Sequence, residues 1–283
     1  MEERAAADRA TQGPAAGEPA SAPGRGPRRW PRVAVLAVVL VAVVVVGVLF
    51  LGGRTRPVSE GDALGRFRTG AGVAGSPVPV GVYPAVADAI ETVGLAPLDR
   101  TVSGPVPVTV TGAGDGCSEV RVDLESDHWR SWTLCRTAAG PALSAGASAT
   151  SRTFPGIDFS STTEVTCDPP AGSGPDGAPA TALCSVRAGG GMAGSGQLRS
   201  RATAGPGPPV QVGGDRVATT RFGLDNTLAG VQDGTERVEF LLASDGLPVR
   251  ISYRTVVQAS TSLGVISYTD RGEVTLRSTR PRT

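Results

Sequence analysis

The amino-acid sequence predicts an all-β, mostly antiparallel domain, either a curved sheet or a sandwich, behind one N-terminal transmembrane helix. Three observations predict this fold. An uninterrupted apolar stretch, Val33–Leu51, lies near the N-terminus. From residue 97 onward, apolar and polar residues alternate with a period of two, which is typical of half-buried strands. Four cysteines, all in this later part of the chain, are spaced as two local pairs.

The apolar stretch contains no charged or hydrogen-bonding side chain over its 19 residues. A helix of that length is roughly 30 Å long, which matches the hydrocarbon core of a bilayer. A secretory signal peptide has a shorter apolar core followed by a small-residue cleavage site, whereas Gly52, Gly53 and Arg54 follow here. We therefore expect an uncleaved, single-pass transmembrane helix over residues 32–53.

Charge and cysteine placement predict the orientation of this helix. Arginines cluster just before it, and the positive-inside rule places such residues in the cytoplasm. The cluster consists of Arg25, Arg28, Arg29 and Arg32. All the cysteines follow the helix, and disulfides persist mainly in oxidising compartments. Residues 1–31 are therefore expected to form a disordered cytoplasmic tail, and the later domain is expected outside the cell membrane.

Composition excludes several classes of function. The 27 basic residues are all arginine, so the chain has no lysine for a phosphate-binding P-loop or a Schiff base. The formal net charge is +1, and nothing in it indicates a nucleic-acid partner. The lack of lysine is also typical of a GC-rich, actinobacterial genome.

Residues 54–96 are expected to form a linker, because glycine, serine, proline and scattered charges dominate it. A short helix is predicted within it, over residues 84–93. Pro84 suits a first helical turn, and Gly94 suits a helix end. Val86, Ile90 and Val93 would share one helical face.

Residues 97–283 are predicted to form the β-domain. Its first clear hairpin joins residues 118–125 to the returning segment WRSWTLCR. If Cys117 lies opposite Cys135, Val120 faces Trp132, and a disulfide staples the open end of the hairpin. The second expected disulfide joins Cys167 to Cys184. Sequential pairing is the most economical of three connectivities, and metal binding is a weaker alternative because the chain has no C-x-x-C motif and one histidine.

Further strands are predicted over residues 157–166, 181–187, 197–204 and 216–222. The glycine-rich stretch 189–196 matches G-x-G-x-x-G, but it follows a strand without opening a helix, so we interpret it as a hairpin loop rather than a nucleotide site.

A later hairpin, residues 237–254, turns at Asp245–Gly246. The predicted register pairs apolar residues on one face of this hairpin. The pairs are Val238 with Tyr253, Phe240 with Ile251, and Leu242 with Val249. Residues 263–278 form the predicted last strand, in which Gly272 indicates a bulge or kink.

The segments GCSEVRVDLESDHWRSWTLC, VTCDPP and DGTERVEFLLASDGLPVRISYRT carry a resemblance. They resemble a group of uncharacterised actinobacterial single-pass membrane proteins with a disulfide-bonded extracytoplasmic β-domain. The DGLPVR strand pair is also distantly similar to envelope carrier proteins of the LolA-like fold. That resemblance implies a curved antiparallel sheet around a cavity for acyl chains, and it transfers no catalytic residue.

The sequence supplies no catalytic, cofactor-binding or metal-binding residue that we can assign. His128 lies in a predicted turn, so a solvated histidine is expected there rather than a general base. Glu119, Asp123 and Glu239 are expected on solvated strand faces beside arginines. Three functions stay open: a non-catalytic envelope binding module for a lipid or other apolar ligand, a structural or partner-binding component of an envelope complex, and an enzyme of unrecognised type.

Overall fold

The structure is a computed structural model that describes residues 56–70, 76–94, 99–114, 116–154, 157–261 and 264–283. The predicted tail, residues 1–31, and the predicted transmembrane helix, residues 32–53, lie outside these ranges. Among the described residues, none of the helices combines the length and the apolar character needed to cross a membrane.

Twelve antiparallel strands form one sheet that closes on itself as a barrel. Each strand pairs with its neighbours in the chain, and β1 pairs with β12 to complete the circle. The strands are β1 (Gly81–Val93), β2 (Asp99–Gly114), β3 (Cys117–Glu125), β4 (His128–Thr137), β5 (Gly140–Phe154), β6 (Ile157–Gly172), β7 (Ala180–Gly190), β8 (Gly194–Val212), β9 (Asp215–Gly230), β10 (Gln232–Leu242), β11 (Pro248–Thr261) and β12 (Gly264–Leu276). The predicted all-β, antiparallel class is confirmed, and the sheet, which was expected to be a curved sheet or a sandwich, closes into a barrel.

Side chains along each strand point alternately into the barrel and away from it. The inward positions are mostly valine, leucine, alanine and aromatic residues, which form one continuous core. The turns after β2, β4, β6, β8 and β10 lie at one end, which we call the mouth end. The connections after the other strands lie at the opposite end, which we call the ring end.

Both predicted hairpins are present. Cys117 pairs with Cys135 across β3 and β4, and Val120 pairs with Trp132. Across β10 and β11, Val238 pairs with Tyr253 and Phe240 with Ile251. The predicted pairing of Leu242 with Val249 is wrong, because a bulge after Leu241 shifts the register and places Leu242 opposite Pro248.

The helix predicted over residues 84–93 is a strand instead. This segment lies in β1 and pairs along its length with β2 on one side and β12 on the other. Its inward series contains Ala85, Ala87 and Ala89, which are all buried. Pairing on both sides satisfies the backbone of the whole segment, and this outweighs the weak helical spacing of its larger residues.

A helix does form in the predicted linker, at Glu60–Thr69, which we call α1. Ser59 and Asp62 form a reciprocal capping box at its N-terminus. The helix contacts β1 and β2 and buries Ala63 fully. Arg66 from its last turn binds Asp123 on the outer face of β3, with 2.6 Å between the nitrogen and the oxygen. Residues 60–69 are therefore part of the folded barrel domain.

Gly272 makes space for a neighbouring aromatic ring rather than marking a bulge or kink. The pairing of β12 with both β1 and β11 continues through it without a shift. A Cβ atom at this position would lie 2.6 Å from the Tyr253 hydroxyl oxygen and 2.9 Å from the Ala89 Cβ. Glycine is therefore required because the Tyr253 side chain lies against the backbone of β12.

Candidate functional site

A belt of polar side chains lines the barrel interior toward the ring end. Its members face inward at directly paired positions on seven neighbouring strands, so each lies beside the next. In order around the wall they are Arg100, Glu91, Asp270, Thr255, Glu236, Asn226 and Ser200. We call this set the inner polar ring.

Arg130 reaches this ring from β4. Its guanidinium donates to Asp270 at 2.9 Å, to Glu236 at 2.9 Å and to Thr255 at 2.8 Å, so one side chain joins three adjacent strands to β4. It also lies 4.4 Å above the ring of Tyr253. Burial alone would lower the pKa of Arg130, but Asp270 and Glu236 raise it well above its ordinary value. Arg130 is therefore a permanently charged centre of the ring.

Glu91 is the second centre of charge. Its carboxylate lies 2.9 Å from an Arg152 nitrogen and 3.5 Å from an Arg100 nitrogen, and it accepts a hydrogen bond from Tyr268 at 3.0 Å. Burial alone would raise the pKa of Glu91, but His128, Thr150 and the two arginines lower it below its ordinary value. The carboxylate is thus held in its ionised form.

His128 lies inside the barrel, which corrects the expectation of a solvated turn histidine. It is 2% exposed, and its Nε2 lies 3.3 Å from an Asp270 carboxylate oxygen. His128 opens β4 and shares the inward series of Arg130, Trp132 and Leu134, which explains its burial. Burial alone would raise the pKa of Asp270, but Arg130 and His128 lower it below its ordinary value.

A small chamber adjoins the ring. It has a volume of about 70 Å³, and its lining includes His128, Asn226, Gln232, Met192 and Asp270. Three polar atoms of its lining have no hydrogen-bond partner among the described residues: His128 Nδ1, Asn226 Oδ1 and Asp270 Oδ1. The chamber can hold a few water molecules or a comparably small polar molecule, and it is too small for an acyl chain.

A larger cleft opens at the mouth end, and we call it the mouth cleft. Its volume is about 360 Å³. Apolar side chains line its inner part, and residues of β4, of β9 and of the turn after β10 form its rim. The apolar residues include Val78, Val120, Leu134 and Leu242, and the rim includes Arg136, Thr137, Thr220 and Ser244.

Residues 76–80 cross the mouth end and form one side of this cleft. The Ser76 and Ser118 hydroxyl oxygens lie 2.7 Å apart in a hydrogen bond, and the Tyr83 hydroxyl donates to the Pro79 carbonyl. Arg136 is exposed on the rim and donates to the Ser244 carbonyl at 3.3 Å. The exposed acidic residue Asp245 also lines the cleft. The cleft therefore combines an apolar interior with one cationic and one acidic side chain at its entrance.

Both disulfides have the predicted pairing. Cys117–Cys135 joins β3 to β4 at the mouth end, and Cys135 lines the mouth cleft. Cys167–Cys184 joins β6 to β7, and both of its residues are buried in the core. Among the described residues, no group of three or more His, Cys, Asp or Glu side chains is arranged to hold a metal ion.

The remaining residues singled out from the sequence lie elsewhere. Glu119 and Glu239 are partly exposed outward-facing residues, whereas Asp123 is buried beneath Arg66 and Arg121, because α1 covers that part of the wall. The apolar face predicted around Phe240 and Ile251 is fully buried by the rest of the closed barrel. Sequence reasoning missed the ring, although Asp270 interrupts the apolar inward series of β12 and was a detectable signal.

Fold and site together define a closed antiparallel barrel with a charged interior toward one end and an apolar cleft at the other. Comparison with known proteins gives no match, either to a family model, to a curated protein or to a solved structure.

Proposed function

We propose that this protein is a membrane-tethered, non-catalytic binding module outside the cell membrane, and that it takes an amphipathic envelope ligand, such as a lipid, into the mouth cleft. The tether is the predicted transmembrane helix at residues 32–53, with residues 1–31 in the cytoplasm. The arginines before that helix and the two disulfides after it support this orientation.

The mouth cleft is the observation that carries the proposal. Ligand sites in proteins have volumes of roughly 300–1,000 Å³ and a mostly apolar lining with a few polar groups, and barrel mouths are a common location. The cleft fits this description with its volume of about 360 Å³, its floor of Val120, Leu134 and Leu242, and Arg136 on its rim. An acyl chain would lie on the apolar floor, and an anionic headgroup would bind the Arg136 guanidinium.

The alternative of an enzyme has less support from the interior. A general acid acting near neutral pH needs a carboxyl group with a raised pKa. The pKa values of Glu91 and Asp270 are lowered, because arginines and His128 surround these carboxylates. The charges of the inner polar ring therefore favour a structural role for these carboxylates.

A titration of the full-length protein, purified in detergent, with a dansyl-labelled fatty acid would test the proposal. Thr220→Trp should fill the rim of the cleft and weaken binding by about tenfold or more, which corresponds to about 1.4 kcal/mol. Thr101→Trp is the matched control, because Thr101 is exposed on the outer face of β2. Arg136→Gln should weaken the binding of the fatty acid but not of its uncharged methyl ester.

Two results would refute the mouth cleft as the ligand site. One is a wild-type protein that binds no fatty acid above the level of an empty detergent control. The other is equal binding by the Thr220→Trp and Thr101→Trp variants.

A further inference from the structure

A row of arginines crosses the outer wall of the barrel at directly paired positions. Its members are Arg201 on β8, Arg237 on β10, Arg254 on β11 and Arg271 on β12, with Asp225 on β9 between the first two. All five side chains are exposed. We call the four arginines the outer arginine row.

The row brings like charges together. Arg254 lies directly opposite Arg237 on one side and directly opposite Arg271 on the other. Like charges at directly opposed positions of a sheet destabilise it. Within the described part of the chain, Arg237 alone in the row forms a salt bridge, with Asp225 at 3.5 Å. The row therefore carries a positive charge that the described residues leave uncompensated.

A groove on the same wall collects this charge. Its volume is about 690 Å³. Three arginines of the row, Arg201, Arg237 and Arg254, line it together with Arg199. The rest of the lining includes three threonines and the acidic residues Asp225 and Glu236, so four arginines face two acidic residues. Exposed Leu183 lies beside the groove, opposite Arg199, and exposed Val256 is part of its lining, next to Arg254. A concave surface lined by four guanidinium groups is suited to an anionic partner.

We propose that the outer arginine row and its groove bind a flexible polymer that carries phosphate groups. Neighbouring strands lie about 4.8 Å apart, so two opposed guanidinium groups can donate to different oxygens of one phosphate. A carboxylate offers only two oxygens and suits a single arginine fork. The row follows the curved wall for about 19 Å, which is four strand spacings. A flexible chain can follow that curve, whereas a flat bilayer would touch only part of it.

This site is independent of the mouth cleft, which lies at one end of the barrel and uses no residue of the row. Failure of fatty-acid binding at the cleft would therefore leave this proposal untouched, and the reverse also holds.

The test is binding of long-chain inorganic polyphosphate to the full-length protein in neutral detergent, followed by fluorescence anisotropy at several salt concentrations. Arg254→Gln should weaken binding by about tenfold, because it removes the middle one of three directly opposed arginines. It should also lower the slope of log affinity against log salt by about one. The matched control is Arg216→Gln, an exposed arginine on β9 nine positions from Asp225, or roughly 30 Å along the strand.

A thermal melt separates lost binding from lost folding. Arg254→Gln should melt at or above the wild-type temperature, because it removes two repulsive pairs, and Arg271→Gln provides a second variant at the end of the row. Absence of polyphosphate binding at physiological salt would overturn the proposal, as would equal losses in Arg254→Gln and Arg216→Gln. Equally tight binding of poly-glutamate, or tight binding only of anionic vesicles, would also overturn it, in favour of an acidic protein or a membrane surface.

Discussion

Replacing Arg130 by methionine should destabilise the barrel strongly, because this one side chain holds a buried carboxylate, a partly buried carboxylate and a hydroxyl. Methionine keeps much of the aliphatic length but removes the bonds to Asp270, Glu236 and Thr255. Asp270 is fully buried and would lose its main partner. Removing one member of a buried ion pair costs about 3–5 kcal/mol. In a domain of this size that corresponds to a fall in melting temperature of about 6–20 °C.

The loss should depend on pH in a defined direction. Arg130 lowers the pKa of Asp270, so the Arg130→Met variant should have a higher Asp270 pKa than the wild type. Below that pKa the carboxyl group is neutral, and the cost of leaving it unpaired is smaller. The difference in unfolding free energy between variant and wild type should therefore shrink as pH falls.

Urea denaturation of both proteins with their disulfides intact, at about pH 7 and about pH 4.5, would measure this difference. Arg199→Met is the matched control, since Arg199 is exposed on the outer wall, and it should change stability by no more than about 0.5 kcal/mol. A cost below about 1 kcal/mol for Arg130→Met, or an equal cost at the two pH values, would refute the role assigned to Arg130.

Two further predictions concern the same interior. The lowered pKa values of Glu91 and Asp270 contribute stability that is fully present above the ordinary carboxyl pKa of about 4 and is lost as pH falls through the lowered values. The urea midpoint should therefore decrease as the pH is lowered from about 5 to about 2. A constant midpoint over this range would contradict the prediction. Gly272→Ala should lower the free energy of unfolding, measured by urea denaturation, by about 1–3 kcal/mol, because the added Cβ would overlap Tyr253. Gly214→Ala is the control and should cost far less, because the space around its Cβ is open. Similar costs for the two variants would contradict the packing argument.

The local parts of the fold could be predicted from the sequence because they depend on short-range pattern and turn chemistry. In β10 and β11 the Asp245–Gly246 turn and two sets of alternating residues restrict the hairpin to one register, and most of that register is observed. The two disulfides could be predicted because the cysteines form two local pairs, one of them placed by a hairpin register and the other by sequential pairing. In the structure each joins directly paired residues of neighbouring strands.

Closure of the barrel could not be predicted in this way. It depends on the pairing of β1 with β12, in which Glu91 lies beside Asp270 although most of the chain separates them. No local signal records that contact. The helical spacing of Val86 and Ile90 arises because strand residues two apart also produce separations of four, whereas Val93, three positions further on, belongs to the inward series. A short segment is therefore ambiguous until its partners are known.

The inner polar ring could not be predicted, because a period of two divides a strand into two sets of residues without showing which set faces the interior. A charged residue in an alternating pattern suggests a face that points to solvent. Glu91 and Arg130 are charged, but both point into the barrel and are buried. The useful signal is a charged residue inside an otherwise apolar series. Asp270 follows Ile266 and Tyr268 and precedes Val274 in such a series.

The width of the barrel gives a physical reason for the ring. An eight-stranded barrel is just narrow enough for side chains to fill, and diameter grows with strand number, so twelve strands enclose more space. Much of the inward surface of β1 is alanine, which fills little of it. Long side chains from β4 extend across the interior instead: Trp132 contacts Phe240 on β10 edge to face, and Arg130 reaches Asp270 on β12. The charged group at the end of a long side chain such as Arg130 requires polar partners inside the barrel. Ring residues at directly paired positions on neighbouring strands supply these partners. The ring therefore braces β4 against β10, β11 and β12 across the interior, which explains why its charges are paired.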